Sequence, residues 1–220
     1  MAPKSRGVSR REQIIETAQR LYNEQGYGAV TTAALAAHCG IAEGNLWYHF
    51  KTRRALLEAI AERFAAAIER RLMLHPSGRD PVGDYAALAG CIMAELRDFR
   101  FLYRDQHAYG EHVEPIASHV RSWLQGTFAQ VEAHFAALVD AGMLDWERAR
   151  LPDLAINATI LIRYGLEHER ELGEPTGEGT GAVARALQRH LTLFEHRVAP
   201  AAAIRLRAAV DAIGAETQAA

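Results

Sequence analysis

Residues 30–60, VTTAALAAHCGIAEGNLWYHFKTRRALLEAI, decide the fold. Thr31 is a residue of the kind that caps a helix, and Leu35 and Ala36 follow it on one inward face. Gly40 stops this short helix. A second one runs from Ala42 to Phe50, with Leu46 and Phe50 at i and i+4 on its inner side. Two short helices joined by a tight turn that contains glycine describe a helix-turn-helix.

Upstream, Ser9 and Glu12 form a capping box, and Ile14, Ala18, Leu21 and Tyr22 repeat at helical spacing until Gly26 and Gly28. Downstream, a long helix is expected over 52–74, with Leu56, Leu57, Ile60, Phe64 and Ile68 inward. After the break at 75–81, Asp80 as cap and Pro81 as first residue open a helix whose stripe is Tyr85, Leu88, Ile92, Leu96 and Phe99. Its pattern continues past Phe101 and Tyr103 to about His107, and Gly110 interrupts it. Pro115 opens a helix closed by Gly142, and Pro152 opens another closed near Gly173. The loop GEPTGEGTG (173–181) leads to a helix over 182–198 and a weaker final one from Pro200, with Ile204, Val210 and Ile213. No strand alternation and no repeat occurs. The chain is expected to be all-α, with an N-terminal three-helix domain and a larger helical body.

Composition fits a globular protein: 220 residues, 49% hydrophobic and 24% charged. Cys39 and Cys91 alone make no disulfide framework, and no apolar run approaches the length of a membrane span. The start, MAPKSRGVSRREQ, has no apolar stretch behind its charges, so we expect no secretory signal and a cytoplasmic protein. The net charge of −2 hides a split. Residues 1–54 hold eight basic and four acidic side chains, or +4; residues 55–220 hold 17 and 23, or −6. A basic head on an acidic body suits a polyanionic partner for the head alone.

On these residues the head resembles the DNA-binding domain of the TetR family of bacterial transcriptional regulators. The resemblance covers about residues 9–60 and rests on Thr31, Leu35-Ala36, Gly40-Ile41, Gly44, Leu46, Trp47, His49-Phe50 and Arg53. The chain departs from the family at Trp47, usually tyrosine, at Ala42, usually serine, and at Arg53, usually lysine. Thr31, Trp47, His49 and Arg53 occupy positions that the family commonly uses on the DNA backbone. The residues themselves are suited to it. The second helix of such a pair enters the major groove N-terminus first, which sets Ala42, Glu43, Gly44 and Asn45 against base edges. Asn45 can donate and accept at adenine, and Glu43 can accept from cytosine N4 or stand as a solvated charge at the helix start. Gly44 costs about 1 kcal/mol of helix stability against alanine, returned by close approach to DNA. Thr31, Thr32, Trp47, Tyr48, His49, Lys51 and Arg53 offer groups for phosphates. Lys4, Arg6, Arg10 and Arg11 reach a neighbouring groove or add unspecific attraction.

We therefore expect a DNA-binding domain over 1–54 and a helical ligand-binding and dimerisation domain over 55–220, the latter implied by the resemblance. The body has no GxSxG, P-loop or GxGxxG sequence, and no histidine follows a glutamate by three residues as di-iron bundles require, so no catalytic residue, cofactor or metal is assigned. Asp105, His107, Glu111 and His112 cluster locally and read as surface residues. The resemblance implies a homodimer through the helices over 152–172 and 182–198, with Leu154, Ile160, Leu161, Leu187, Leu191 and Phe194 at the interface. Two recognition helices then require a near-palindromic double-stranded operator. For a small-molecule effector the candidates are Phe64, Cys91, Phe99, Tyr103, His107, Trp123, Phe128, Asn157 and Tyr164, a mostly apolar set. The expected function is a ligand-responsive regulator, acting as a repressor and released by a largely hydrophobic effector. The rivals are a DNA-binding dimer that is constitutive or controlled by a protein partner, and, remotely, an all-helical metalloenzyme.

Overall fold

A computed structural model describes residues 9–105, 118–177 and 179–219. Among the described residues the chain forms helices joined by turns and two 3-10 segments, with a single isolated bridge between Leu144 and Val198 in place of any sheet. No described helix is long and apolar enough to cross a membrane. The helices are α1 (Arg10–Gln25), α2 (Thr32–His38), α3 (Glu43–His49), α4 (Arg53–Leu72), α5 (Pro81–Asp98), α6 (Arg100–Arg104), α7 (Val120–Asp140), α8 (Leu151–Glu171), α9 (Ala182–Leu191) and α10 (Pro200–Ala219). They fall into two compact units, residues 9–66 with 98–105 and 118, and the remainder. The units do not divide where the charge does, because α4 contributes to both and α6 belongs to the first.

The first unit is built by caps and one apolar core. The Ser9 hydroxyl accepts from the Glu12 amide at 3.2 Å and starts α1, whose Ile14, Ile15, Ala18, Leu21 and Tyr22 are buried. Leu35, Leu46, Phe50, Leu56 and Ile60 close over them. Helical character continues past Phe101 and Tyr103 as expected, but with a break at Phe99: α5 ends at Asp98 and α6 begins again at Arg100, while His107 lies outside the described residues. The break lets α6 serve the end of α1. Arg104 donates from Nη2 to the Tyr22 carbonyl at 2.8 Å and from Nη1 to the Asn23 carbonyl at 3.0 Å. The last carbonyls of a helix run short of amide partners, and Arg104 supplies donors to them; the Tyr22 carbonyl also accepts from the Gly26 amide at 3.0 Å.

The second unit centres on an aromatic cluster, with ring centroids of Tyr85 and Phe135 4.9 Å apart and those of Phe135 and Phe194 5.0 Å apart. Helices α8 and α9 pack closely because Gly165 has no Cβ: one placed there would lie 2.7 Å from the Ala186 Cβ. The buried Glu169 carboxylate ties the same two helices by pairing with Arg185 at 2.6 Å and with Arg189. A second ionic group was not foreseen. Buried Arg71 donates from Nε to both Glu95 oxygens at 2.9 Å, from Nη1 to Gln130 at 2.6 Å and from Nη2 to Thr127 at 3.0 Å. Every partner is a hydrogen-bond acceptor, as a buried guanidinium requires.

Two further helix boundaries differ from expectation. α7 starts at Val120 after a turn at Ser118–His119; Pro115, expected to open it, lies outside the described residues. α9 stops at Leu191, and a turn and the 3-10 segment Glu195–Arg197 replace the expected helix to Val198. That turn brings the Phe194 ring beside Tyr85, centroids 5.5 Å apart.

Candidate nucleic-acid interface

The turn between α2 and α3 has the geometry of a Schellman motif. Gly40 takes φ +64°, its amide donates to the Ala37 carbonyl, and the Ile41 amide donates to the Ala36 carbonyl, both at 3.0 Å. Only glycine enters that left-handed region at no steric cost. Beyond it, Leu46 and Phe50 are buried and anchor one side of α3. On the other side Ala42, Glu43, Gly44, Asn45 and Tyr48 are exposed, Tyr48 at 79%, and Trp47 and His49 are half-buried. A Cβ added at Gly44 would meet nothing within 4 Å, so no contact inside the protein demands glycine there.

The polar groups around this face divide into free and committed ones. Thr31 caps α2, its hydroxyl accepting from the Ala34 amide at 3.1 Å, which leaves its own proton to donate. Thr32 instead donates to Glu43 Oε1 at 2.6 Å. Lys51 is exposed. Arg53 is turned inward: it donates to the Tyr27 carbonyl, and its guanidinium lies 4.0 Å from the Tyr27 ring centroid. Arg53, expected at phosphate, thus also braces the loop after α1, a consequence of the aromatic face beside it. Arg10 reaches the Cys39 carbonyl at 3.5 Å, and Arg11 lies 4.9 Å over the Phe50 ring. Lys4 and Arg6 lie outside the described residues.

Of the nine effector candidates, eight lie among the described residues. Phe64, Phe99 and Tyr103 do meet, with Phe64 5.2 Å from Phe99 and 5.4 Å from Tyr103 between centroids. Cys91 is exposed; it lines an open groove of about 580 Å³ with Gly90 and Arg97 of α5, Val183 of α9 and Ala209 of α10. Trp123 is buried against His119, and Phe128 is half-buried. Asn157 and Tyr164 are exposed, the Tyr164 hydroxyl bonding to Glu171. His107 lies outside the described residues, as do Glu111 and His112. Asp105 accepts from the Tyr27 amide at 2.7 Å and pairs with Arg104, and no metal-holding cluster occurs among the described residues.

The interface expected for dimerisation needs correcting. Leu154, Leu187, Leu191 and Phe194 are buried within the chain's own core and have no area left to bury. Ile160 and Leu161 are exposed at 55% and 42%, and Ile156 and Tyr164 accompany them on α8. The pattern of apolar spacing marks inward stripes without telling an inner core from an outer contact.

Two family profiles match the chain: bacterial regulatory proteins of the tetR family over residues 14–60, and the TetR bacterial transcriptional repressor over residues 63–204. Tetracycline repressor class C of Escherichia coli is 46% identical over 52 residues, 24% of each chain, so the match spans about a quarter of that relative's length. Tetracycline repressor class A from transposon 1721, also of Escherichia coli, is 28% identical over 180 residues, 79% of this chain and 73% of the relative. A crystal structure of a TetR-family regulator from Marinobacter aquaeolei shares the fold, with a TM-score of 0.71, 20% identity and coverage of 94% and 98%. With the second profile alone spanning more than half of its length, the chain belongs to the TetR family of bacterial transcriptional regulators and is a DNA-binding protein.

Proposed function

We propose that the protein is a ligand-responsive repressor that binds a near-palindromic operator as a homodimer and leaves it when a small, largely hydrophobic molecule binds. One observation carries the DNA-reading part. The outer side of α3 places Glu43, Gly44, Asn45 and Tyr48 in solvent while Leu46 and Phe50 hold the helix from behind. Asn45 and Glu43 read bases, and Thr31, Trp47, His49 and Lys51 hold phosphates. Residues 1–54 carry this function, and 55–220 carry dimerisation and effector response.

The exposed Ile156, Ile160, Leu161 and Tyr164 of α8 support the dimer, because a row of large apolar groups left in water is the mark of a contact surface. Similarity to a repressor named for tetracycline supports a small-molecule effector. No catalytic role is assigned, and a cytoplasmic location suits a regulator of DNA. The test is footprinting on the genomic region around the coding sequence. A protected inverted repeat that disappears with an added effector supports the proposal. Protection that no compound relieves favours a constitutive or partner-controlled repressor, and no protected repeat at all overturns it.

A further inference from the structure

Adjacent threonines at the head of α2 have different partners, and the difference bears on specificity. The Thr31 hydroxyl is the helix cap and accepts from the Ala34 amide at 3.1 Å. Thr32 follows as the first residue of the helix, and its hydroxyl donates to Glu43 Oε1 at 2.6 Å. Glu43 in turn is the first residue of α3 and is exposed. We propose, resting on the DNA-reading role above, that Thr32 is the positioning residue of Glu43: it holds one carboxylate oxygen so that the other is presented to the edge of a cytosine.

Three physical points support this. Between positions 42 and 45, alanine and glycine alternate with Glu43 and Asn45, so these two are the only side chains in the exposed first turn that can read a base by hydrogen bonding. An ionised carboxylate only accepts. In the major groove guanine shows two acceptors and thymine an acceptor with a methyl group, whereas adenine sets its amino donor beside an acceptor nitrogen; cytosine offers an amino donor. A glutamate on a free stem must also be ordered when DNA arrives, at a cost in rotamer entropy. The Thr32 hydroxyl, donating to a charged acceptor, makes a strong bond that fixes the stem beforehand. Thr32 was expected to meet phosphate, and its hydroxyl proton cannot do both.

The test uses the full-length protein and duplexes that carry each of the four base pairs at every half-site position, with affinity read by fluorescence anisotropy. Wild type is expected to prefer cytosine about tenfold at one position per half-site. Thr32→Val should reduce that preference to about twofold, Thr32→Ser should restore it, and Glu43→Gln should abolish it. Circular dichroism checks that each variant folds, and Thr32→Ala carries the comparison if Thr32→Val does not. An equal loss on all duplexes with Thr32→Val makes the hydroxyl a phosphate contact and overturns the positioning role alone. Cytosine preference that persists in Thr32→Val, or that Thr32→Ser fails to keep, overturns it as well. A wild-type protein that distinguishes none of the duplexes removes the DNA-reading role beneath it.

Discussion

The Tyr85 hydroxyl donates to His190 Nε2 across 2.6 Å, and His190 Nδ1 in turn donates to the Ala158 carbonyl at 3.1 Å. A carbonyl can only accept, so the proton sits on Nδ1 and Nε2 offers its lone pair to the phenol. Both side chains are buried, so the pair fixes a neutral histidine inside the second unit.

Burial pushes the His190 pKa down from 6.5 to about 4. Between those values the unfolded chain binds the additional proton and acid favours it. The stability due to neutral His190 is therefore complete above pH 6.5 and lost as pH falls towards 4, by about 3 kcal/mol in all. Urea midpoints at pH 7, 5.5 and 4 should fall in that order. His190→Gln should be less stable at pH 7 but should show a shallower decline, and an unchanged decline contradicts this role.

Arg71 and Glu95 form a pair whose members cannot be removed singly. Burial holds the Glu95 carboxyl above its ordinary range, against the pull of Arg71. Arg71→Met should cost about 3–5 kcal/mol because it strands a buried acid, and the double variant with Glu95→Met should cost less than the two single losses combined. A double-mutant cycle by chemical denaturation measures the coupling, and additive losses would show that the two do not act together.

Gly44 and Gly40 should respond in opposite ways to alanine. Gly44→Ala meets nothing in the protein and should stabilise the fold by up to about 1 kcal/mol while weakening operator binding. Gly40→Ala forces a side chain to φ +64° and should cost about 1–2 kcal/mol. Thermal unfolding and anisotropy read both effects, and full operator affinity in Gly44→Ala would show that no close approach occurs there.

The two groups of apolar residues once assigned to a single interface should separate cleanly. Ile160→Glu should convert a dimer to monomer at unchanged helix content, as seen by sedimentation and circular dichroism. Leu187→Ala should cost about 2–5 kcal/mol of stability because that side chain is fully enclosed. Dimers that persist in Ile160→Glu place the interface elsewhere.

Much of this was legible in the sequence where local chemistry decides. Ser9, Thr31 and Asp80 cap the helices that they were expected to cap, and Gly40 makes the turn. Long-range choices were less legible. Arg71 continues the inward stripe of Phe64 and Ile68, and Glu95 that of Leu88 and Ile92, so two charges at apolar positions were the available sign of a buried pair. Nothing local shows that Arg53 folds onto Tyr27, that Thr32 spends its proton on Glu43, or that α9 stops early to place Phe194 beside Tyr85, because each depends on what another part of the chain brings near.

The central claim is that the outer side of α3 reads DNA as part of a symmetric pair, and selection from a pool of random duplexes tests it most directly. The wild-type protein should enrich an inverted repeat with half-site centres about one helical turn apart. Asn45→Ala should alter the enriched base at particular positions, whereas His49→Ala should weaken all selected duplexes alike. Enrichment of no repeat by the wild-type protein, or the same uniform loss from both variants, would contradict it.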